Sequence, residues 1–235
     1  MKDWRIKRFW TAASAHAVPG GYEVHLDART VKTPGKHSLL LPTLALAEAI
    51  AAEWDAQTGE INPAKMPITR FANSAIEKVA PQFAAVVGEV ASYGASDLLC
   101  YRATEPPALI QRQATGWDPI LAWAEQTFAA PLTVTTGVMP VPQPSASLTA
   151  LRAQVAAMSP FHLVALHDLV AITGSLVLGL AVARGRLDPG TAFDLSRIDE
   201  HWQAELWGHD EDAAATESRK QADFLAAARF FADCG

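Results

Sequence analysis

The stretch SLLLPTLALAEAIAAEW, residues 38–54, contains the point at which the hydrophobic pattern of this chain changes. Before it, YEVHL at residues 22–26 alternates between apolar and polar positions, which is typical of a half-buried strand. After Pro42, apolar positions recur about every 3.6 residues, which is typical of an amphipathic helix. Thr43 stands before the first of these positions and is a good N-cap residue. We therefore expect strands before residue 42 and helices after it.

These patterns predict an α+β fold. A small N-terminal β domain, residues 1–42, would form a twisted sheet or meander, with a hairpin turn at PGG, residues 19–21. A mainly α-helical domain, residues 43–235, would follow. The segment MPVPQPSAS contains three prolines in nine residues and predicts a linker near residues 139–146.

Within the helical part, Gly59 is expected to end the first helix. Asp118-Pro119 predicts the start of a later one, because a capping Asp is followed by a first-turn proline. The apolar run LVAITGSLVLGLAV, residues 169–182, is too short to span a bilayer and is expected to form a buried core helix.

Composition narrows the function classes. The chain has 235 residues, of which 50% are hydrophobic and 19% are charged, as in an ordinary soluble globular protein. Cys100 and Cys234 lie too far apart for a paired redox or metal motif. The net charge is −6, and the basic start lacks arginine-aromatic clustering, so no nucleic-acid partner is expected. No membrane insertion is expected either, because the most apolar run, residues 169–182, is too short to span a bilayer. The absence of a clear transit peptide favours the bacterial cytoplasm, or the mitochondrial matrix if the source is eukaryotic.

Motifs for catalysis are weak. TPGK at residues 33–36 lacks the upstream glycine and the Ser or Thr of a phosphate-binding loop, and the sequence holds no Gly-x-Ser-x-Gly elbow. His201 and Glu205, four residues apart on a predicted helix, leave a metal-dependent hydrolase open as an alternative. Capping and surface charge explain the same two residues with fewer assumptions. No catalytic residue, metal or cofactor is therefore predicted.

Trp207 is the most informative aromatic residue. It lies beside Gly208 and an acidic run, off the helical stripe of apolar residues that contains Trp202. An aromatic side chain rimmed by charge is a common form of protein-binding hot spot, whereas a buried tryptophan is ordinary core. The sequence leaves both interpretations open.

Several long motifs resemble one known family. They occur in the family's order and cover nearly the whole chain: RFW, VHLDARTVKTPGKHSLLLPT, AIAAEWDAQTGEINPAKMPITRFANSAIE, DLLCYRA, RQATGWDP and LSRIDEHWQAELWG. They are similar to the ATP-twelve family, whose members are assembly chaperones for the alpha subunit of F-type ATP synthase.

The resemblance implies a non-enzymatic chaperone that binds the unassembled alpha subunit, prevents its aggregation and hands it to beta subunits. It also points to acidic residues near the QAELWG motif as functionally important. We therefore expect the client to contact Glu200, Glu205 and Trp207, with Asp210 and Glu211 as peripheral charge. Arg70 and Asn73 are expected as an additional surface. A general protein-binding adaptor of shared ancestry is the remaining alternative.

Overall fold

The fold is known from a computed structural model, which describes residues 7–208 and 210–235. The predicted fold class is confirmed, because a three-stranded antiparallel sheet precedes a mostly helical body. The strands are β1 (Ala13–Val18), β2 (Gly21–Leu26), β3 (Arg29–Thr30), β4 (Tyr101–Arg102) and β5 (Thr135–Thr136). The α-helices are α1 (Leu44–Asp55), α2 (Pro67–Ser74), α3 (Phe83–Ser92), α4 (Pro107–Phe128), α5 (Ser145–Ala156), α6 (Pro160–Thr173), α7 (Leu176–Ala183), α8 (Pro189–Leu195), α9 (Ile198–Trp207) and α10 (Glu211–Asp233).

The described residues form two compact units. The first contains those up to Gln82, together with Pro160–Ala165 and Arg229–Gly235. The second contains the described residues of Phe83–Ser159 and Leu166–Ala228. The sequence predicts a domain boundary between residues 42 and 43 and a linker near residues 139–146. Both statements are about which parts of the chain fold independently, and they stay predictions.

The first unit is built on the sheet. Strands β1 and β2 form a hairpin in which Ala13 pairs with Leu26 and Val18 with Gly21, and β3 adds to the other edge of β2. The run after β3 returns to β2, where the backbone N–H of Tyr22 donates to the Leu41 carbonyl and the N–H of Leu41 donates to the Tyr22 carbonyl, both at 2.9 Å. Leu41 is fully buried, so this run belongs to the core of the unit.

Helix α1 packs against β1 and β2. Its predicted cap is confirmed, since the Thr43 hydroxyl accepts a hydrogen bond from the N–H of Leu46 at 3.2 Å. The expected stop at Gly59 is wrong, because the helix ends at Asp55. The buried Gln57 side chain causes the early end: its amide donates to the Glu53 carbonyl at 3.0 Å and accepts from the N–H of Asn62 at 2.9 Å.

The second unit is helical and has a core that includes the fully buried Trp117, Phe193 and Phe224. Helix α4 does not begin at Asp118-Pro119, as the sequence predicted; it runs unbroken from Pro107 to Phe128 with Pro119 inside it. Asp118 caps nothing there. Its carboxylate lies 2.8 Å from the buried Arg102 guanidinium, an ion pair that is not in hydrogen-bond geometry.

The apolar run at residues 169–182 is buried as expected, but it forms parts of two helices. Helix α6 ends at Thr173, and Gly174 follows in the left-handed region with φ of 70°. Ser175 then caps α7 by accepting from the N–H of Leu178 at 3.0 Å. A Ser after a left-handed Gly supplies both a stop and a new start, which accounts for the break.

Among the described residues, one run, Phe83–Cys100, is long and apolar enough to cross a membrane by length and composition. In the structure this run is not a single helix. Helix α3 ends at Ser92, and two 3₁₀ turns, Tyr93–Ser96 and Leu98–Cys100, complete the run. Helix α3 packs against α5, so the run takes part in the core of the second unit.

Candidate functional site

Helix α9 carries three of the predicted client-binding residues and is held on α4 by polar links. The Gln113 amide of α4 donates to the Asp199 carboxylate at 2.7 Å. Just before α9, the indole N–H of Trp117 donates to the Leu195 carbonyl at 2.8 Å. Because the donors of these links are a buried Gln and a buried Trp, the links fix the position of α9 on α4.

Glu205 makes a further link to α4. Arg112 Nη1 donates to both carboxylate oxygens, at 2.8 and 2.9 Å. The Glu205 side chain remains 55% exposed, and an exposed ion pair of this kind contributes at most about 1 kcal/mol to stability. Glu205 is therefore accessible to a partner, and losing its pair costs the fold little.

Glu200 and Glu205 do not share a face of α9. Five residues separate them, which places them about 140° apart around the helix. Glu200 lies instead with Gln203 and Trp207 in one exposed stripe, since positions i, i+3 and i+7 fall on the same side. Glu200 Oε1 accepts from Arg197 Nη1 at 2.8 Å, so this carboxylate is held close to the helix start.

Trp207 is on the surface, which excludes the buried-core interpretation, whereas its role in binding stays a prediction. Its side chain is 79% exposed, and the neighbouring Leu206 is 58% exposed. Helix α9 ends immediately after it, at Gly208, whose φ of 92° suits glycine. Two adjacent large apolar side chains thus project from a helix end into solvent, which is typical of a binding surface. Where no partner covers them, leaving such side chains exposed to water is unfavourable.

Asp210 and Glu211 follow at the start of α10. The Asp210 carboxylate accepts from the N–H of Asp212 at 2.9 Å, while Glu211 lies in the first turn of the helix. Both are exposed. Negative charge at a helix N-terminus is favourable, so these residues have a structural role in addition to any contact with a partner.

His201 and Glu205 point to different partners. His201 Nε2 lies 2.6 Å from the Glu217 carboxylate of α10, whereas Glu205 is paired with Arg112. No three His, Cys, Asp or Glu side chains of residues 7–208 and 210–235 form a group that would hold a metal. His209, which the sequence places beside these residues, lies outside the described ones.

The thiol of Cys100 is fully buried in the core. Burial, helped by the nearby Asp97 carboxyl, raises its pKa to about 12. A thiol nucleophile acts as the thiolate, so this side chain is protonated and unreactive at neutral pH.

Arg70 and Asn73 belong to the first compact unit, whereas the residues of α9 and α10 named above belong to the second. Arg70 is exposed on α2, and Asn73, one turn later, is half-buried. Together with Trp54 they line a cleft of about 650 Å³. The sequence-predicted residues thus belong to both compact units.

Sequence reasoning missed three residues that shape the exposed surface of α9. Leu206 has the spacing of the apolar helical stripe that contains Trp202, yet it is exposed beside Trp207. Gln203 completes the exposed stripe of α9, and Arg112 pairs with Glu205 from 93 positions away. Helical periodicity identifies the Gln203 position, but no sequence signal joins Arg112 to Glu205.

Comparison with known proteins gives a consistent result. A family model described as ATP12 chaperone protein matches residues 7–125. The crystal structure of Atp12 from Paracoccus denitrificans is 53% identical, with a TM-score of 0.96 over 99% of this chain and 100% of that chain. The Atu1473 protein of Agrobacterium tumefaciens is 38% identical, with a TM-score of 0.94 over 97% of this chain and 86% of that one.

A more distant relative is the mitochondrial protein atp12 of Schizosaccharomyces pombe. It is 22% identical over 97% of this chain and 83% of its own length. The family match covers half of the chain, and the structural matches cover nearly all of it at high identity. The chain therefore belongs to the ATP12 chaperone protein family, a family of non-enzymatic factors in ATP synthase assembly.

Proposed function

We propose that this chain binds the unassembled alpha subunit of F-type ATP synthase, prevents its aggregation, and releases it to beta subunits. The observation that carries the proposal is the exposed pair Leu206 and Trp207 at the end of α9, near in sequence to the exposed acidic residues Glu200, Asp210 and Glu211, on a member of a chaperone family. The site of action is the bacterial cytoplasm, or the mitochondrial matrix if the source is eukaryotic.

The physical demand on such a chaperone is a contact that is specific yet exchangeable. An isolated subunit of a ring exposes interface surface that is buried in the finished assembly, and such surface aggregates. A central aromatic anchor supplies most of the binding energy, whereas rim charges mainly affect association rate and selectivity. Trp207 suits the first role, and the exposed carboxylates of Glu200, Asp210 and Glu211 suit the second.

The proposal is tested by titrating purified alpha subunit with four forms of the chain. Trp207→Ala removes the anchor and is expected to raise the Kd at least about tenfold. Glu205→Lys is expected to raise the Kd by a smaller factor while leaving the circular dichroism spectrum unchanged, because its ion pair is exposed. Glu48→Lys, an exposed charge reversal on α1, serves as the matched control and is expected to bind like the unaltered chain.

Equal affinity of all four forms would refute the α9 surface as the client contact. A folded unaltered chain that shows no binding to alpha subunit at any concentration would refute the function itself.

A further inference from the structure

The cleft in the first compact unit has the make-up of a peptide-binding site. Its volume of about 650 Å³ lies within the range of ligand pockets. The walls come from the end of α1, the connector before α2, one side of α2 and the segment after β3. The lining residues are Lys32, Thr33, Pro34, Trp54, Ile61, Pro63, Met66, Thr69, Arg70 and Asn73.

Two polar atoms of the lining residues are buried without a hydrogen-bond partner among the described residues. One is the indole Nε1 of Trp54, which is a donor, and the other is the amide Oδ1 of Asn73, which is an acceptor. Buried polar atoms are almost always paired, and an unpaired one opposes folding. Because neither atom is exposed to solvent, a ligand that offers both an acceptor and a donor would pair them once the Trp54 and Asn73 side chains turn toward the cleft.

The charged side chains that line the cleft are cationic. Lys32 and Arg70 line it, and its lining contains no acidic residue. Within the described part of the chain, neither cation forms an ion pair with a carboxylate. In a chain whose net charge is −6, two unpaired cations in one cleft favour an anionic ligand.

The side of α2 that faces the cleft is held in place by Glu53. Its carboxylate accepts from the N–H of Ile68 at 2.7 Å, and from the N–H and hydroxyl of Thr69 at 2.8 and 2.7 Å. This caps the first turn of α2 and directs the carboxylate toward the backbone of that turn. Arg70 and Asn73 are therefore carried on a fixed helix, which lowers the entropy cost of binding.

We propose that this cleft binds an extended segment of the client chain that contains an acidic side chain. A peptide unit offers a carbonyl to Trp54 Nε1 and an N–H to Asn73 Oδ1, and a carboxylate suits the guanidinium of Arg70. Apolar side chains of the same segment would lie against Ile61 and Met66. A small inorganic anion would match the cations alone, leaving the Asn73 acceptor and the apolar walls without a role.

The identity of the client as alpha subunit rests on the function proposed above, whereas the ligand chemistry rests on the cleft. The test measures binding of alpha subunit to Arg70→Glu and Asn73→Leu. Lys78→Glu, an exposed charge reversal on the turn after α2 and outside the cleft lining, is the control. We expect Arg70→Glu to raise the Kd about tenfold or more, Asn73→Leu to raise it several-fold, and the control to change it less than about twofold.

A second arm locates the bound segment. A photo-crosslinking amino acid at position 34, which lines the cleft and leaves both cations in place, is expected to join alpha subunit at a segment that contains Asp or Glu, and the cross-link should be lost in combination with Arg70→Glu. If the unaltered chain binds alpha subunit but position 34 gives no cross-link, or if Arg70→Glu binds as Lys78→Glu does, the cleft proposal is overturned.

A third arm tests the ligand chemistry of the cleft independently of the alpha subunit. If the unaltered chain fails to bind alpha subunit, the proposed function fails, and the cleft is then tested with the blocked peptide acetyl-Val-Glu-Val-Asp-Val-amide. Saturable binding of this peptide that is lost in Arg70→Glu, and is absent for its Gln and Asn counterpart, supports the ligand chemistry. Equal or absent binding of both peptides overturns it.

Discussion

Asp97 is a fully buried carboxylate with a structural task. Its two oxygens accept from the N–H of Leu99 at 3.1 Å and of Val177 at 3.0 Å, so one side chain caps a 3₁₀ turn and the first turn of α7. Burial outweighs these hydrogen bonds and raises the pKa of the carboxyl to about 6, from 3.8 when exposed. The folded state therefore binds a proton more tightly here than the unfolded chain does.

That difference predicts a pH dependence of stability. Since the pKa is raised on folding, the Asp97 contribution is largest below about pH 4 and falls as the pH rises to about 6, by up to ~3 kcal/mol. Asp97→Asn abolishes this titration and also weakens the caps. Urea denaturation of both forms between pH 4 and pH 7 is expected to show a difference in the free energy of unfolding that shrinks with rising pH. Parallel curves would contradict the assignment.

At the residue scale, the sequence singled out Trp207 as an informative aromatic residue but did not predict whether its side chain is buried or exposed. A Trp in polar company is compatible with core or surface, because the hydrophobic pattern of α9 is short and its end is set by Gly208. Leu206 shows the same limit: its spacing fits a buried stripe, but the helix reaches past the core by that point, leaving it 58% exposed. The position of Trp207 off the apolar stripe and beside an acidic run indicated this end of α9, and the family resemblance added the acidic residues near the QAELWG motif.

At the scale of elements, close helix packing depends on one glycine. A Cβ at Gly179 of α7 would lie 2.6 Å from Val170 Cγ2 of α6, a distance that real Cβ atoms do not tolerate. Gly179→Ala is therefore expected to lower the free energy of unfolding by about 1–3 kcal/mol, because overpacking shifts the helices. Thermal denaturation measures the effect.

Gly88 provides the matched control for that substitution. It also lies inside a helix, α3, but its Cβ would meet only Arg152 Nη1, at 3.6 Å. Gly88→Ala is expected to be neutral or to stabilise by up to about 1 kcal/mol, through helix propensity. An equal loss of stability in both variants would show that contact with Val170 is not the cause.

The elements also show where sequence reasoning succeeds and fails. The Thr43 cap and the β1–β2 hairpin were predicted because a local rule decides each of them. The supposed helix start at Asp118-Pro119 failed because Asp118 pairs with Arg102, sixteen residues earlier, and α4 continues through the proline. The predicted end of α1 at Gly59 was wrong because the buried Gln57 side chain ends the helix earlier. Features decided by neighbouring residues could be predicted from the sequence, whereas contacts between residues distant in sequence could not.

At the scale of the whole molecule, the predicted client-binding residues fall on two compact units. Glu200, Glu205 and Trp207 lie on one, and Arg70 and Asn73 lie on the other. A chaperone that uses two separate surfaces gains affinity when both contact one client, and it can yield them one at a time to a competing subunit. Variants of the two surfaces are therefore expected to weaken client binding independently, with Trp207→Ala and Arg70→Glu adding in free energy.

Chaperone action on the alpha subunit is the central claim, and light scattering tests it most directly. Alpha subunit is diluted from denaturant with and without the chain at equal concentration, and an unrelated aggregating enzyme is treated in the same way. We predict suppression of scattering near one-to-one stoichiometry for alpha subunit and no suppression for the enzyme. Undiminished scattering of alpha subunit would contradict the account, and equal suppression of both proteins would make the chain a general adaptor.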